Sequence, residues 1–362
     1  MKSLERGLKS LGLGTFRLFF GGEKLSALPE RLKNPQRILV VRADARLGNL
    51  VFSLPFVSAL KKKFPQAEVS FLVSAQFAEL LKNENGFEVL AFNKRRAKNP
   101  LYLPDLTSRL QAGRFDWCFD LSSPESPSFT NSFLCWLSRA PVRIAYRSKY
   151  AEAFDTLFFE PEKDSALWEQ FLKLLEKVSP GKTEFDALFT LTAEEKRKAS
   201  DFHGQGKASR VGIFLGGRGE KKWEVEKWLQ VAEKLAGRGL SVFLFYGPEE
   251  KEGGSRVAGR SEIKVVEPRP LREFAALLSG LDLLAAADCG PLHLASALNV
   301  PVLGVYFSSD PVRFAPMGER KILICEDKTA LTPERVVETA MKMLETVKDK
   351  PAKRPAVQAA GR

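Results

Sequence analysis

Two long stretches of this 362-residue chain repeat one pattern, in which short apolar runs typical of β-strands alternate with longer amphipathic stretches typical of helices. In the first stretch the strand-like runs are RILVVR, AEVSFLV, FEVLAF, FDWCFDL and VRIAYR. In the second they are RVGIFLGG, LSVFLFYG, IKVVEP, LDLLAAADCG, VPVLGVYF and KILICED. Alternation of this kind is the sequence form of a parallel sheet covered by helices on both faces. The pattern therefore predicts an α/β protein with two doubly wound domains.

The chain is long enough for two globular cores of about 150 residues each. The stretch SPGKTEFD looks like the start of an interdomain connection, and the polar stretch TAEEKRKASDFHGQGKAS that follows indicates a boundary near Ser200. We expect a basic amphipathic N-terminal segment at 1–35, an N-terminal domain at 36–200, a C-terminal domain at 201–347 and a disordered basic tail at 348–362. The last helix should begin after Thr332, because a threonine followed by proline is a favourable helix start.

The formal net charge of +12 calls for a polyanionic partner. Residues 1–37 hold eight Lys or Arg against three Glu, and their leucines form an apolar stripe. This pattern is typical of a helix that lies on a membrane surface, although a helix that caps the first domain fits it equally well. Neither end shows RNA-binding signatures or interleaved aromatic residues. The charge therefore favours a membrane surface over nucleic acid.

No run approaches the roughly 20 apolar residues of a membrane-spanning helix, and the N-terminus lacks the features of a signal peptide. We expect a cytoplasmic chain. Its four cysteines are scattered without Cys-x-x-Cys pairs, so neither a disulfide framework nor a zinc site is indicated.

Ligands of such sheets bind beyond the carboxyl ends of the strands, and the stretch AADCGPLH stands at one of these ends. Pro291 is expected at the first helical position, which makes Gly290 the N-cap and places His293 in the first turn. Backbone amides at a helix start bind anions, and Asp288 can accept hydrogen bonds from a sugar hydroxyl. The alternative is that Asp288 and Gly290 are turn residues and that His293 is a satisfied polar group.

A second loop, LGGRGEKKWEVEKW, follows another strand. Gly216 and Gly217 allow the backbone to approach a phosphate closely, while Arg218, Lys221 and Lys222 supply positive charge. The segment lacks the Walker pattern, and a solvated basic loop is the alternative.

The third loop, YGPEEKEGGSRVA, offers Glu249 and Glu250 after a strand. A carboxylate there can bind ribose or sugar hydroxyls, although surface glutamates are common. Phosphate donors and sugar acceptors in three neighbouring loops together suggest a nucleotide-sugar.

The stretches ILVVRADARLGNLVFSLPFVSALKKKFP, GIFLGGRGEKKWEVEKWLQVAEKL and DCGPLHLASALNVPVLGVYFSSDP together resemble glycosyltransferase family 9, the ADP-heptose:lipopolysaccharide heptosyltransferases. The resemblance spans about residues 36 to 345. It implies a GT-B fold, with two Rossmann-like domains facing a central cleft and the last helix packing back on the N-terminal domain. It also implies inverting transfer of a heptose, or a related sugar, from ADP-heptose to the lipopolysaccharide inner core. No cofactor and no metal are implied.

Carried over by position, Lys221 holds the diphosphate, Asp288, Gly290 and His293 contact the heptose and phosphates, and Glu250 lies near the adenosine ribose. Cys289 stands where the family usually has Thr or Ser, and is a weaker hydrogen-bond partner. The full predicted donor set is Gly216, Gly217, Arg218, Lys221, Lys222, Glu250, Asp288, Cys289, Gly290, Pro291 and His293.

The segment RADARLGNLVF departs from the family at its proposed general base, because Asn49 replaces the usual aspartate. An amide cannot take up a proton at neutral pH. Three explanations remain open: Asp44 takes the proton, the leaving diphosphate or an acceptor carboxylate takes it, or the protein binds both substrates without turnover. Asn49 can equally be a helix N-cap, and Asp44 a loop carboxylate paired with Arg42 or Arg46.

The implied acceptor is an anionic glycolipid, lipid A with inner-core sugars, presented at the inner face of the cytoplasmic membrane. Basic side chains suit its carboxylates and phosphates. We expect it to meet Arg46, Gly48, Arg143 and Arg147, with support from NKRRAKN at 93–99 and Lys149. The protein is expected to be a monomer, peripheral on the membrane, with no nucleic-acid partner.

Overall fold

The computed structural model describes residues 24–82, 84, 86–162, 164–186, 189–247, 250 and 262–349. These residues form two compact units, one ending at Asp186 and the other following it. The sequence places this division later, near Ser200. The difference arises because a helix at Ala193–His203 packs in the second unit, where Arg272 Nε donates to Glu195 Oε1 at 2.5 Å.

The first unit contains one parallel sheet in the order β3-β2-β1-β4-β5-β6, which is the Rossmann order. Its strands are β1 (Arg37–Arg42), β2 (Glu68–Ser74), β3 (Glu88–Phe92), β4 (Trp117–Asp120), β5 (Val142–Tyr146) and β6 (Leu157–Phe159). Its described helices are α1 (Leu47–Lys63), α2 (Ala75–Ala78), α3 (Tyr102–Ala112), α4 (Phe129–Leu137), α5 (Ala151–Phe154) and α6 (Leu167–Val178). The sequence predicted the first five strands and missed β6, which is only three residues long.

The second unit repeats this topology, with the order β12-β11-β10-β7-β8-β9 in a second parallel sheet. Its strands are β7 (Arg210–Phe214), β8 (Ser241–Phe245), β9 (Ile263–Val266), β10 (Leu283–Ala287), β11 (Val302–Tyr306) and β12 (Lys321–Cys325). Its described helices are α7 (Ala193–His203), α8 (Val225–Ala236), α9 (Leu271–Ser279), α10 (Gly290–Ala297) and α11 (Pro333–Asp349). All six strands of this unit were predicted from the sequence.

The central strands are apolar because helices cover both faces of each sheet. Every residue of β10 is buried, and in β1 only the first residue is partly exposed.

The two units also share one hydrogen-bond arrangement at the amino ends of their central strands. Asp116 Oδ2 accepts from the Arg37 amide at 2.9 Å, and Asp282 Oδ2 accepts from the Arg210 amide at 2.8 Å. These bonds help fix neighbouring strands in register, so that their carboxyl ends meet at one edge.

The predicted start of the last helix is confirmed, since α11 begins at Pro333 and Thr332 Oγ1 accepts from the Arg335 amide at 3.3 Å. By contrast, AQFAELLKNE does not form one long helix. It contains the short α2 and a separate 3-10 turn at Glu79–Leu81.

Part of the predicted N-terminal segment packs on the first unit. The Leu25 amide donates to the Thr156 carbonyl at 2.8 Å, and Trp117 Nε1 donates to the Leu32 carbonyl at 2.8 Å. Residues 1–23 lie outside the described residues, as do residues 350–362 of the tail predicted at 348–362, whose first two residues belong to α11. In the part of the chain that is described, no helix combines the length and the apolar character needed to cross a membrane.

Candidate functional site

Four loops of the second unit lie side by side, because β11, β10, β7 and β8 are neighbours in a parallel sheet. The carboxyl ends of these four strands therefore meet at the same edge of the sheet. The sequence predicted that three of these loops bind the sugar donor. The fourth loop, which follows β11, was not assigned a role.

Asp288 is the centre of the polar network at this edge. It follows β10, and its side chain is 4% exposed. Lys221 Nζ donates to Asp288 Oδ2 at 2.5 Å, and Ser309 Oγ donates to the same oxygen at 2.5 Å. His293 Nε2 lies 3.0 Å from Asp288 Oδ1. One buried carboxylate thus joins three of the four loops.

Burial by itself would raise the pKa of Asp288, but the hydrogen bonds and charges around it outweigh burial. His293, Lys221 and Ser309 together hold the pKa of this carboxyl well below its usual range. Asp288 is therefore ionised at neutral pH. It fixes a cation and an imidazole beside the start of α10.

Helix α10 begins one residue earlier than the sequence predicts. Cys289 is the N-cap with extended backbone (φ −151°, ψ 167°), Gly290 is the first helical residue and Pro291 the second. The prediction of Gly290 as N-cap was wrong by one position. His293 still lies in the first turn, next to the backbone amides that make a helix start favourable for anions. Burial raises the pKa of the Cys289 thiol to about 12, so this thiol stays protonated and is a poor nucleophile.

The loop after β7 approaches its surroundings too closely for side chains at its two glycines. A Cβ at Gly216 would lie 2.4 Å from the Phe214 ring, and a Cβ at Gly217 would lie 2.9 Å from the Lys222 Cα. Exposed Arg218 precedes a 3-10 turn at Gly219–Lys221, which delivers Lys221 to Asp288. Glycine at these two positions lets the loop pack closely against Phe214, Glu250 and Lys222.

Glu250 is buried against the same glycine loop. Its Oε2 would lie 3.2 Å from a Cβ at Gly216 and 2.8 Å from a Cβ at Gly247, and its Oε1 is 3.4 Å from Lys222 Nζ. The carboxylate is therefore set between the ends of β7 and β8. Glu249, the other acidic residue of this predicted loop, lies outside the described residues.

The sequence prediction did not include Ser309, although this residue lies in the stretch that resembles family 9. Ser309 follows β11, the strand adjacent to β10, and hydrogen-bonds Asp288 across 21 positions of sequence. The same loop carries Phe314, whose ring centroid is 4.9 Å from Lys221 Nζ. A polar residue just after the strand next to β10 was the signal available in the sequence.

In the first unit, Asp44 follows β1 and is held by three neighbours. Arg42 Nε is 3.0 Å from Asp44 Oδ2, while Asp44 Oδ1 accepts from Asn49 Nδ2 at 3.0 Å and from the Arg46 amide at 3.1 Å. The Asp44 side chain is 24% exposed, so its neighbours do not enclose it. Asn49 is not the N-cap of α1. That position belongs to Arg46, and Asn49 lies in the first turn with Gly48 before it.

The two other arginines predicted for the acceptor differ from Arg46. Arg143 is buried near the amino end of β5, where its guanidinium donates to the Ala140 carbonyl at 2.7 Å and the Phe154 carbonyl at 2.8 Å. The structure therefore does not bring Arg143 together with Asp44. Arg147 follows β5 at the carboxyl edge, where it is exposed and pairs with Glu152 at 3.1 Å and with Glu160.

Within the described residues, no three His, Cys, Asp or Glu side chains are grouped as ligands for a metal ion.

Two Rossmann-type units in one chain, similar in structure to solved heptosyltransferases, define the class of fold as GT-B. The chain belongs to glycosyltransferase family 9 (heptosyltransferase), whose family model matches residues 105–345. This membership confirms the family resemblance and the fold predicted from the sequence.

Individual relatives agree with the family match. The lipopolysaccharide core heptosyltransferase OpsX of Haemophilus influenzae is 21% identical over 307 residues, which cover 80% of this chain and 84% of that protein. A family 9 glycosyltransferase from Veillonella parvula is 20% identical with a TM-score of 0.78, covering 89% of this chain and 100% of that chain. The Escherichia coli heptosyltransferase WaaC with ADP is 21% identical with a TM-score of 0.69, covering 85% and 99%. A second WaaC structure contains ADP-2-deoxy-2-fluoro heptose and has a TM-score of 0.68 at 21% identity, covering 84% and 99%.

Proposed function

We propose that this protein transfers a heptose, or a closely related sugar, from ADP-heptose to the inner core of lipopolysaccharide. The observation that carries the proposal is the Asp288 network, in which Lys221 and His293 are fixed beside the start of α10. A cation, an imidazole and helix-start amides at one point suit a diphosphate. The ADP and ADP-sugar analogue present in the WaaC structures support the same donor class.

The donor is proposed to lie along the edge formed by the four loops of the second unit. In this proposal Lys221 offsets part of the negative charge of the diphosphate, and the backbone amides of Gly216 and Gly217 contact its oxygens. Glu250, buried beside these glycines, is suited to accept hydrogen bonds from the ribose hydroxyls. Arg218, Lys222, Cys289, Gly290 and Pro291 complete the proposed lining.

The reaction is proposed as a single displacement with inversion. The acceptor hydroxyl oxygen forms a bond to the anomeric carbon while the bond from that carbon to the diphosphate oxygen breaks. The hydroxyl proton passes to Asp44, and ADP leaves with the bonding electron pair. Lys221 and the α10 amides stabilise the charge that develops on the leaving diphosphate, which is the work of a metal ion in many transferases. We therefore propose a reaction without a resident metal.

Asp44 is suited to the role of base because its neighbours orient it without enclosing it. Asn49 donates to one carboxylate oxygen and Arg42 pairs with the other, which fixes the side chain. Arg46 and Gly48 at the start of α1, together with Arg147, are proposed to meet the anionic acceptor. We place the protein on the inner face of the cytoplasmic membrane, where this acceptor is made.

A second candidate function follows from Asn49, which cannot act as a base. In this alternative the protein binds the nucleotide-sugar and the glycolipid without turnover. The two candidates share the donor site and differ only in chemistry, so binding and turnover must be measured separately.

The test is a panel of ADP-heptose, ADP-glucose and UDP-sugars, measured for thermal stabilisation and for acceptor-dependent release of the nucleotide. A ligand that binds the native state raises the apparent melting temperature by mass action. We expect the largest stabilisation with ADP-heptose, and release of ADP only when the lipopolysaccharide acceptor is present. Stabilisation without release would support the binding function. No stabilisation by any ADP compound would refute both candidates.

A further inference from the structure

The segment that follows β3 in the first unit, residues 93–104, combines exposed cations with an exposed apolar tip. Lys94, Arg95, Arg96 and Lys98 are all exposed, and the segment has no acidic residue. The chain then turns through Pro100 to Leu101, whose side chain is 75% exposed. This is the largest exposure among the large hydrophobic residues that the structure describes. We call this surface the 93–104 loop.

Described carboxylates do not neutralise the cations of the 93–104 loop, whereas they do neutralise several other cations of the first unit. Arg147, for example, pairs with both Glu152 and Glu160. Within the described residues, Lys94, Arg95, Arg96 and Lys98 form no ion pair, and Arg96 lies over the Tyr102 ring at 5.5 Å from its centroid. The positive charge is therefore available to an external anion.

Local hydrogen bonds hold the 93–104 loop in a defined shape. Asn93 Oδ1 accepts from the Arg95 amide at 3.0 Å and from the Arg96 amide at 3.2 Å. The Asn93 amide in turn donates to the Tyr102 hydroxyl at 2.7 Å. The backbone that carries the cations is thus held in a defined turn, and Leu101 follows in the same segment.

The loop also lies on the same sheet edge as Asp44. Strand β3 is two strands from β1 in the sheet order, and neighbouring strands are about 4.8 Å apart. The ends of β3 and β1 are therefore roughly 10 Å apart. The loop that follows β3 therefore starts near the loop that carries Asp44, which suits an acceptor whose sugars must reach the base while its lipid stays in a bilayer.

We propose that the 93–104 loop docks the first unit on an anionic phospholipid bilayer. The four cations face the headgroup phosphates, and Leu101 with Pro100 enters the boundary between headgroups and acyl chains. Basic residues with an adjacent apolar side chain are the combination that binds such an interface. This inference rests on the proposed function, since it places a membrane-embedded acceptor beside Asp44.

The experiment is flotation of the full chain with vesicles of phosphatidylcholine alone or mixed with phosphatidylglycerol. The wild type should bind only the anionic vesicles, and the binding should weaken as salt is raised. Each cation near such a surface contributes about five-fold to partitioning, so K94A/R95A should bind about 25-fold more weakly. Leu101→Ser should bind about ten-fold more weakly.

The matched control is K207A/R238A, which removes one exposed lysine and one exposed arginine from the second unit. This control should bind vesicles like the wild type, and every variant should keep its melting temperature and its affinity for ADP. If K94A/R95A unfolds, Lys98→Ala with Leu101→Ser takes its place. The inference is overturned if the loop variants bind anionic vesicles like the wild type, or if the wild type does not bind them. A wild-type protein that binds anionic vesicles but does not bind ADP would instead refute the proposed function.

Discussion

Replacing Asp44 with asparagine tests the proposed base with little change in shape. An asparagine oxygen can accept from Asn49 Nδ2 and from the Arg46 amide as the carboxylate does. The variant therefore keeps the local hydrogen bonds of the loop but cannot take up a proton. A loss of rate in this variant reports the proton transfer more than the fold.

The Asp44→Asn variant should lose both catalytic rate and folding stability, by different amounts. A positioned general base contributes about 10² to 10⁴ in rate, so kcat of Asp44→Asn should fall by that factor. The fall corresponds to about 2.7 to 5.5 kcal/mol in the activation barrier. Stability should change less, by about 1 to 3 kcal/mol, because Arg42 is buried and loses an ionised partner. Arg42 still donates to the Leu121 carbonyl, so we expect the variant to fold.

The assay is acceptor-dependent release of ADP at saturating donor and acceptor, with ADP affinity measured in parallel. We expect kcat to fall while ADP affinity stays within two-fold, because the proposed ADP ligands lie in the second unit. A kcat within three-fold of the wild type would refute Asp44 as the base.

The companion variant is Asn49→Asp, which places a second carboxylate at the contact that Asn49 now makes with Asp44. Two carboxylates at this distance share one proton, so we expect a lower kcat at neutral pH that recovers as pH rises. A kcat above the wild type at neutral pH would show that the missing carboxylate at position 49 limits the rate.

Three further changes have expected outcomes. Ser309→Ala should weaken ADP-heptose binding about ten-fold in a calorimetric titration, because Asp288 loses a hydrogen bond, while Ser309→Thr should restore most of the affinity. Gly217→Ala should lower ADP affinity and cost about 1 to 3 kcal/mol of unfolding free energy, since its Cβ would lie 2.9 Å from the Lys222 backbone; unchanged denaturant curves would contradict this. Burial, with nearby Arg210, lowers the pKa of His203 to about 4, so the unfolded state binds a proton that the native state does not as pH falls from 6.5 to 4. Stability should therefore fall by about 1 to 2 kcal/mol over that range after allowing for solvent screening, and denaturation of His203→Leu should lack this part of the pH dependence.

Most of the fold could be predicted because its strands are buried on both faces and read as continuous apolar runs. The strand β6 was missed because three residues are too few to show a pattern. The start of α10 was misplaced by one position, since the choice between Cys289 and Gly290 depends on backbone angles that composition does not encode.

The site residues divide in the same way. Residues within one loop, such as Asp288 and His293, could be grouped from spacing alone. Ser309 could not, because its contact with Asp288 depends on the side-by-side pairing of β10 and β11. Arg143 was assigned to the acceptor because a sequence shows its charge but not that its guanidinium is buried against backbone carbonyls.

The most direct test of the central claim is calorimetric titration of ADP into the wild type, Lys221→Ala and His293→Ala. Lys198→Ala is the control, because Lys198 is an exposed lysine of the second unit that pairs with Glu194 at 2.7 Å. If the diphosphate is held beside the start of α10, Lys221→Ala should bind ADP about 10 to 100-fold more weakly, as expected for loss of a hydrogen bond to a charged group, and His293→Ala about ten-fold more weakly. The control should match the wild type. Equal ADP affinity in all four proteins would contradict the account.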